Sequence, residues 1–232
     1  MFNALFRNIT NTEKNDAVES IIQHATPRLD FFLMLILSAA MAAFGVILNS
    51  VVILVGSMLI APLLFPLFSF ALGIVVVDEK LIARSVYTIL KSIGFALTAS
   101  FVIGLLFSVH GETLSPSLVA YDTMSFAYAL VAAISGFAGA FAISKPHLNE
   151  TLPGVAVSVS LVPPLAVAGV ALALFNWTMF SNALLMFFVN VIGVVFSAMI
   201  VFSLLQFAKK KTVATDIVKQ EEKIVKNEVQ EK

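Results

Sequence analysis

Three observations predict an all-α polytopic membrane helix bundle. Hydrophobic residues make up 59% of the chain and charged residues only 12%, about half the share of a soluble domain. Apolar runs long enough to cross the hydrocarbon of a bilayer recur along the sequence. Lys and Arg cluster in alternate links between those runs, as the positive-inside rule requires. The runs are too long and too uniformly apolar for the alternating strands of a barrel, so helices that satisfy their own backbone follow.

The elements read in order as follows. Residues 1–30 form a polar segment. Phe2, Leu5, Phe6 and Ile9 recur there at helical spacing, with Arg7 and Asn8 among the polar positions, which fits an amphipathic helix lying on a leaflet. Span 1 covers 31–48. Its "LMLILSAAMAA" (Leu33–Ala43) is not read as a cleaved leader, because polar residues of both signs precede it and the apolar run continues past any cleavage point. Span 2 covers 51–77 and span 3 covers 81–109. A polar link, 110–122, precedes span 4 (123–143), span 5 (152–175) and span 6 (178–207). A charged tail, 208–232, ends the chain.

The positive residues test the span count. Arg7, Lys14 and Arg28 precede span 1. Lys80, Arg84 and Lys91 lie where spans 2 and 3 meet, and Lys145 lies between spans 4 and 5. Lys209, Lys210, Lys211, Lys219, Lys223, Lys226 and Lys232 lie in the tail. The links "LNS", "HGETLSPSLVAYD" and "FNWT" carry neither Lys nor Arg. Six spans therefore place every positive residue on one side, together with both termini. That side is cytoplasmic, and the expected location is a multi-pass protein of the inner (plasma) membrane. In the tail, Ile217 and Ile224, like Val218 and Val225, recur at seven. Two heptads are too few for a coiled coil, so a solvated charged helix is expected. Lys209–Lys211 suits contact with anionic lipid.

The two halves, 31–109 and 123–207, resemble each other. "LNSVVILVGSMLIAPLL" begins at Leu48 and "LNETLPGVAVSVSLVPPL" at Leu148, and Pro62 follows Asn49 at nearly the spacing at which Pro163 follows Asn149. A span rich in small residues precedes each Leu-Asn: Ser38, Ala39, Ala40, Ala42 and Ala43 in one, Ala132, Gly136, Gly139 and Ala140 in the other. Three spans per unit is odd, so the second copy is inverted in the membrane. Inverted repeats with a discontinuous helix in each half recur in secondary transporters.

The prolines define the candidate site. Pro62 and Pro66 remove the donors for the carbonyls of Met58 and Pro62, and Pro163 and Pro164 those for Val159 and Ser160. The residue before a proline is driven from helical geometry, so Ala61 and Phe65 are expected to break span 2, and span 5 is expected to break at Pro163. Both breaks are expected near mid-depth. Each would offer free carbonyls and a half-helix N-terminus without a charged side chain. Ser57, Ser69, Ser158 and Ser160 would add hydroxyls, and Asn190 lies deep in span 6. The plainer reading stands beside this one: kinked helices whose Ser hydroxyls bond back, and an Asn190 amide that bridges two helices.

At these residues the sequence resembles a known family. "VGSMLIAPLLFPLFSFALG" (Val55–Gly73), "LPGVAVSVSLVPPLAVAGVALAL" (Leu152–Leu174) and "FGVILNS" (Phe44–Ser50) are similar to stretches of the prokaryotic hydrophobic family catalogued as domain of unknown function 389. The likeness covers roughly 31–207. It implies a bacterial or archaeal polytopic membrane protein and no assigned chemistry. Some members carry a soluble domain before the first span, where this chain has residues 1–30.

Composition narrows the function classes. The formal net charge is zero and there is no cysteine, so no basic face for nucleic acid and no thiolate metal site or thiol nucleophile is expected. The spans hold no carboxylate pair, and His24, His110 and His147 lie in separate polar segments, so neither an enzyme nor a metal or cofactor site is expected. Proton coupling through a buried acid is equally disfavoured, since the spans contain no Asp or Glu. What remains is conduction or transport of a small ion or solute between the two proline segments. The alternative is a membrane scaffold or accessory subunit, acting through its tail or forming a homo-oligomer through its small-residue helix faces. In either case the lipid bilayer is a partner.

Overall fold

The computed structural model describes residues 9–107, 126–145 and 151–230. Every regular element among them is helical. Nine α-helices follow one another: α1 (Asn11–His24), α2 (Leu29–Ile47), α3 (Val51–Ile60), α4 (Leu64–Val76), α5 (Glu79–Phe107), α6 (Phe126–Ile143), α7 (Thr151–Ala173), α8 (Trp177–Leu204) and, after a 3₁₀ turn at Phe207–Lys210, α9 (Lys211–Gln230). Residues 2–8, which carry most of the expected amphipathic pattern, and the link 110–122 lie outside the described residues.

Helices α2, α5 and α8 are each long and apolar enough to cross a membrane. Together α3 and α4 make a fourth such unit, bent by 50° at a break. Both α6 and α7 contain shorter apolar stretches. Leu33, Leu37, Val52, Leu106, Ile134, Ile192 and Phe196 are exposed on the outside of the bundle. This apolar surface is consistent with a membrane protein.

Three of the turns are built alike. Asn49, Val77 and Phe175 sit in the left-handed region at φ 51°, 56° and 55°. The next amide reaches back in each case: Ser50 N donates to Gly45 O at 2.8 Å, Asp78 N to Gly73 O at 3.0 Å and Asn176 N to Ala171 O at 3.0 Å. That is the Schellman closure of a helix. The same residue then opens the following helix. Ser50 accepts from Ile53 N at 3.5 Å, Asp78 from Leu81 N at 3.0 Å and Asn176 from Met179 N at 3.1 Å. None of the three left-handed residues is glycine. Val77 is the most strained, since a β-branched side chain costs about 1–2 kcal/mol there.

Helix α7 is the centre of the bundle. Residues 160–171 are buried in unbroken succession, and α7 touches α2, α3, α5, α6 and α8. Close approach to α5 needs Gly169, where a Cβ would sit 2.4 Å from Ser100 Cβ. Gly136 likewise admits the α8 backbone, with a Cβ 2.7 Å from Val194 Cα. The small residues Ser38, Ala39, Ala42, Ala43, Ala132 and Ala140 are buried within this chain.

Helices α2 and α5 run parallel. Phe32 meets Phe95 at 5.0 Å between ring centroids, and Phe44 meets Phe107 at 4.9 Å. The first turns of α5 therefore project past the start of α2. Alongside that projection α4 packs antiparallel: Ser85 Oγ donates to Ser69 Oγ at 2.8 Å, and Gly73 abuts Ile82.

The tail corrects the sequence reading. Helix α9 is docked, not solvated, with Ala214, Val218 and Glu221 buried against α1 and α5. These three positions are spaced i, i+4, i+7 and form one face. One member of that face is a glutamate, so hydropathy alone does not mark it.

Candidate functional site

The two proline segments behave differently. At Pro62 the helix ends. Ala61 takes an extended ψ of 120°, as a residue before proline must, and α4 begins two residues on. Pro66 makes no second break. It lies in the first turn of α4 (Leu64–Val76), where its missing N–H would have had no intrahelical partner. Phe65 accordingly stays helical.

The expected break in span 5 is absent. Helix α7 runs on through Pro163 and Pro164. Two features explain why. The first is a substitute donor: the Asn190 side-chain amide gives its hydrogen to Ser160 O at 2.7 Å, filling the place Pro164 leaves empty. The second is burial on all sides, whereas α3 is open on one face, with Val52 82% and Leu59 62% exposed. An unbroken α7 keeps that packing, while α3 and α4 can bend at little cost. The amide of Asn190 is thus a helix-to-helix bridge, and its Oδ1 is buried without a partner.

The first half uses a similar device. Ser38 Oγ on α2 donates to Ser57 O at 2.8 Å, one of the last carbonyls of α3. Ser57 Oγ bonds back to Leu54 O at 2.6 Å. The Ser57 and Ser160 carbonyls therefore have donors from neighbouring helices. Met58 is buried in the apolar core and Ser69 is bonded to Ser85. The side chains of Ser158 and Val159 lie outside the described residues.

The structure does bring the two segments together. A small cavity lies between Leu63 and Leu67 on one side and Leu161 on the other, completed by Ile89, Ile93 and Phe187. Leu63 follows Pro62 directly, and Leu161 is two residues before Pro163. The lining is wholly apolar and the volume is about 10 Å³, room for about one water molecule. Its level is informative. Ser57 is level with Ser38, the middle of α2, so the break beyond it lies toward the start of α2. Ile89 and Ile93 flank Lys91, whose ammonium lies 5.9 Å from the Phe32 ring. The cavity is thus level with the first turn of α2 and not halfway along it.

A polar cluster that the sequence did not reveal sits beyond α4. Arg28 Nη2 donates to Glu221 Oε2 at 2.8 Å, and the Thr26 hydroxyl lies 3.1 Å from the same oxygen. Arg84 Nη2 donates to Thr26 Oγ1 at 2.7 Å. Thr215 Oγ1 donates to Asp78 Oδ2 at 2.6 Å. Burial opposes ionisation of Asp78, but the hydrogen bonds from Thr215 and from the Leu81 and Lys80 amides, with Lys211 nearby, outweigh it and lower its pKa. His24 stacks on Phe65 at 4.6 Å. No spacing rule links residues so far apart in the chain.

Comparison with known proteins agrees with the signature stretches. The model of a family described as a domain of unknown function, DUF389, matches residues 58–196. An uncharacterized protein of Methanocaldococcus jannaschii is 32% identical over 171 residues, which is 74% of this chain and 52% of that relative. The chain thus spans about half the length of the relative it matches. No solved structure matches.

Proposed function

The chain belongs to the DUF389 family, and from that premise we propose a six-span protein of the inner (plasma) membrane that moves a small ion or neutral solute past its two proline segments. Both termini are cytoplasmic in this reading, and the spans form two inverted repeats, α2–α5 and α6–α8. Packing supports the repeat: α2 pairs with α5 as α6 pairs with α8, and α5 packs on α7 as α8 packs on α4. The turns at Val77–Asp78 and Phe175–Asn176 occupy matching places and share one construction. The observation that carries the function is the cavity between Leu63 and Leu161, where the segments around Pro62 and Pro163 meet. In this reading its small size and apolar lining correspond to a closed path. An uncoupled passage suits spans without Asp or Glu.

Reconstituted vesicles test this. The protein should raise the permeability to small neutral solutes or monovalent ions, read by light scattering or ion-selective dyes. Pro62→Ala should reduce that flux about tenfold while the protein stays folded, because a continuous helix cannot hinge. Absence of any flux across a broad panel would sink the reading and favour a scaffold role. The docked tail speaks for transport over scaffolding, since the buried face of α9 is already occupied by its own chain.

A further inference from the structure

The cavity wall formed by α4 is held in place by parts of the chain remote from it. Helix α4 joins α3 through Ala61–Leu63, where helical bonding lapses, so it is hinged at that end. It packs on α5 and α8 along its length, and three further contacts tie it toward the two end segments. His24 of α1 stacks on Phe65 with an interplanar angle of 24°. Phe68 packs edge-on against Phe202, which packs on Phe207 immediately ahead of α9. Asp78, at the far end, is bonded by Thr215 of α9.

A second carboxylate, Glu221, ties α9 to the end of α1 and, through Thr26, to α5. Glu221 is 3% exposed. It binds Arg28 directly and Thr26 at the end of α1, and Thr26 in turn receives Arg84 from α5. Arg84 also reaches Val218 O on α9. Two guanidinium groups thus converge around one buried acid. Removing that acid leaves two cations facing each other, which is far worse than losing a surface pair.

We propose that α1 and α9 form a cytoplasmic clasp, fastened at Glu221, that holds α4 shut over the cavity, and that α4 swings about Ala61–Leu63 when the clasp opens. The clasp is a gate only if the transport reading above holds. The opening itself is read without flux, so the two can fail separately.

The chain has no cysteine, so single cysteines report cleanly. Leu63→Cys and Leu161→Cys line the cavity from opposite sides, and Val218→Cys lies on the buried face of α9. All three positions are buried, at 6%, 0% and 1% exposure, and should react slowly with a membrane-impermeant thiol reagent. In the Glu221→Ala background all three should label about tenfold faster or more, as expected when a buried anchor is lost and a local opening becomes populated. Faster labelling at Val218→Cys alone would overturn the proposal, because the clasp would then open without uncovering the cavity. No acceleration at any site would overturn it as well, because Glu221 would not be the fastening. Acceleration in the cavity without Val218→Cys would do the same. Ala43→Cys, buried in α2 away from the clasp, reports global unfolding. If it labels in Glu221→Ala, the milder Glu221→Gln is read by the same three criteria.

Discussion

Pro164 strips the Ser160 carbonyl of its helical donor, and the Asn190 amide replaces it at 2.7 Å. This exchange is what one residue contributes to keeping α7 unbroken. Replacing Asn190 with Leu removes this interhelical bond and should destabilise the protein by about 1–2 kcal/mol, in line with interhelical bonds in membrane bundles. Pro164→Ala restores a backbone N–H at the same place. The double variant Asn190→Leu/Pro164→Ala should therefore recover most of the loss, measured as unfolding in mixed detergent. An additive double variant would show that the amide acts elsewhere. The sequence put Asn190, Ser160 and Pro164 among the candidate site residues. It left open whether the amide served a ligand or a helix, because a side chain's partner depends on which helix lies opposite. Ser38 is a clearer case of the same limit: it read only as a small residue in a packing face, yet it supplies the donor for Ser57 O.

At the scale of elements, the turns decide how the helices meet. Asp78 closes α4 and opens α5 while holding Thr215 of α9. Its pKa is lowered, so its contribution is fully present above the ordinary carboxylate pKa of about 3.9 and is lost as pH falls through the depressed folded value. Docking of α9 should therefore weaken below about pH 4, seen as faster amide exchange in α9. In Asp78→Asn that acid step should be absent, and α9 should exchange faster at neutral pH as well. An unchanged acid step in the variant would assign it to another carboxylate. The broken and unbroken helices show the reach of local rules. The X-Pro rule correctly ended α3 at Ala61. It failed at Pro163 and Pro164, where α7 is enclosed on every side and the packing outweighs a local cost of about 3 kcal/mol per interior proline. It failed at Pro66 for another reason: the first turn of a helix has no bond for proline to remove.

At the scale of the molecule, the order of spans and the sidedness of charge make one further prediction. Single cysteines at Trp177 and at Lys219 should label from opposite sides of an intact cell membrane, with Trp177 reached from outside. Labelling of both from one side would require an even number of crossings between them, contrary to the single crossing of the six-span reading. The sequence by itself determined that the chain is helical, that its apolar runs suit a membrane and which family it belongs to. These follow from composition, run length and signature residues, all of which are local properties. The tertiary structure alone decided that α7 stays whole, that the two proline segments meet at an apolar cavity level with the start of α2, and that Glu221 ties both ends of the chain to α5. Each of those depends on which atoms of distant segments come within hydrogen-bonding or packing distance. Where a buried carbonyl finds its donor, and where a buried acid finds its cations, is settled only when the helices have taken their places.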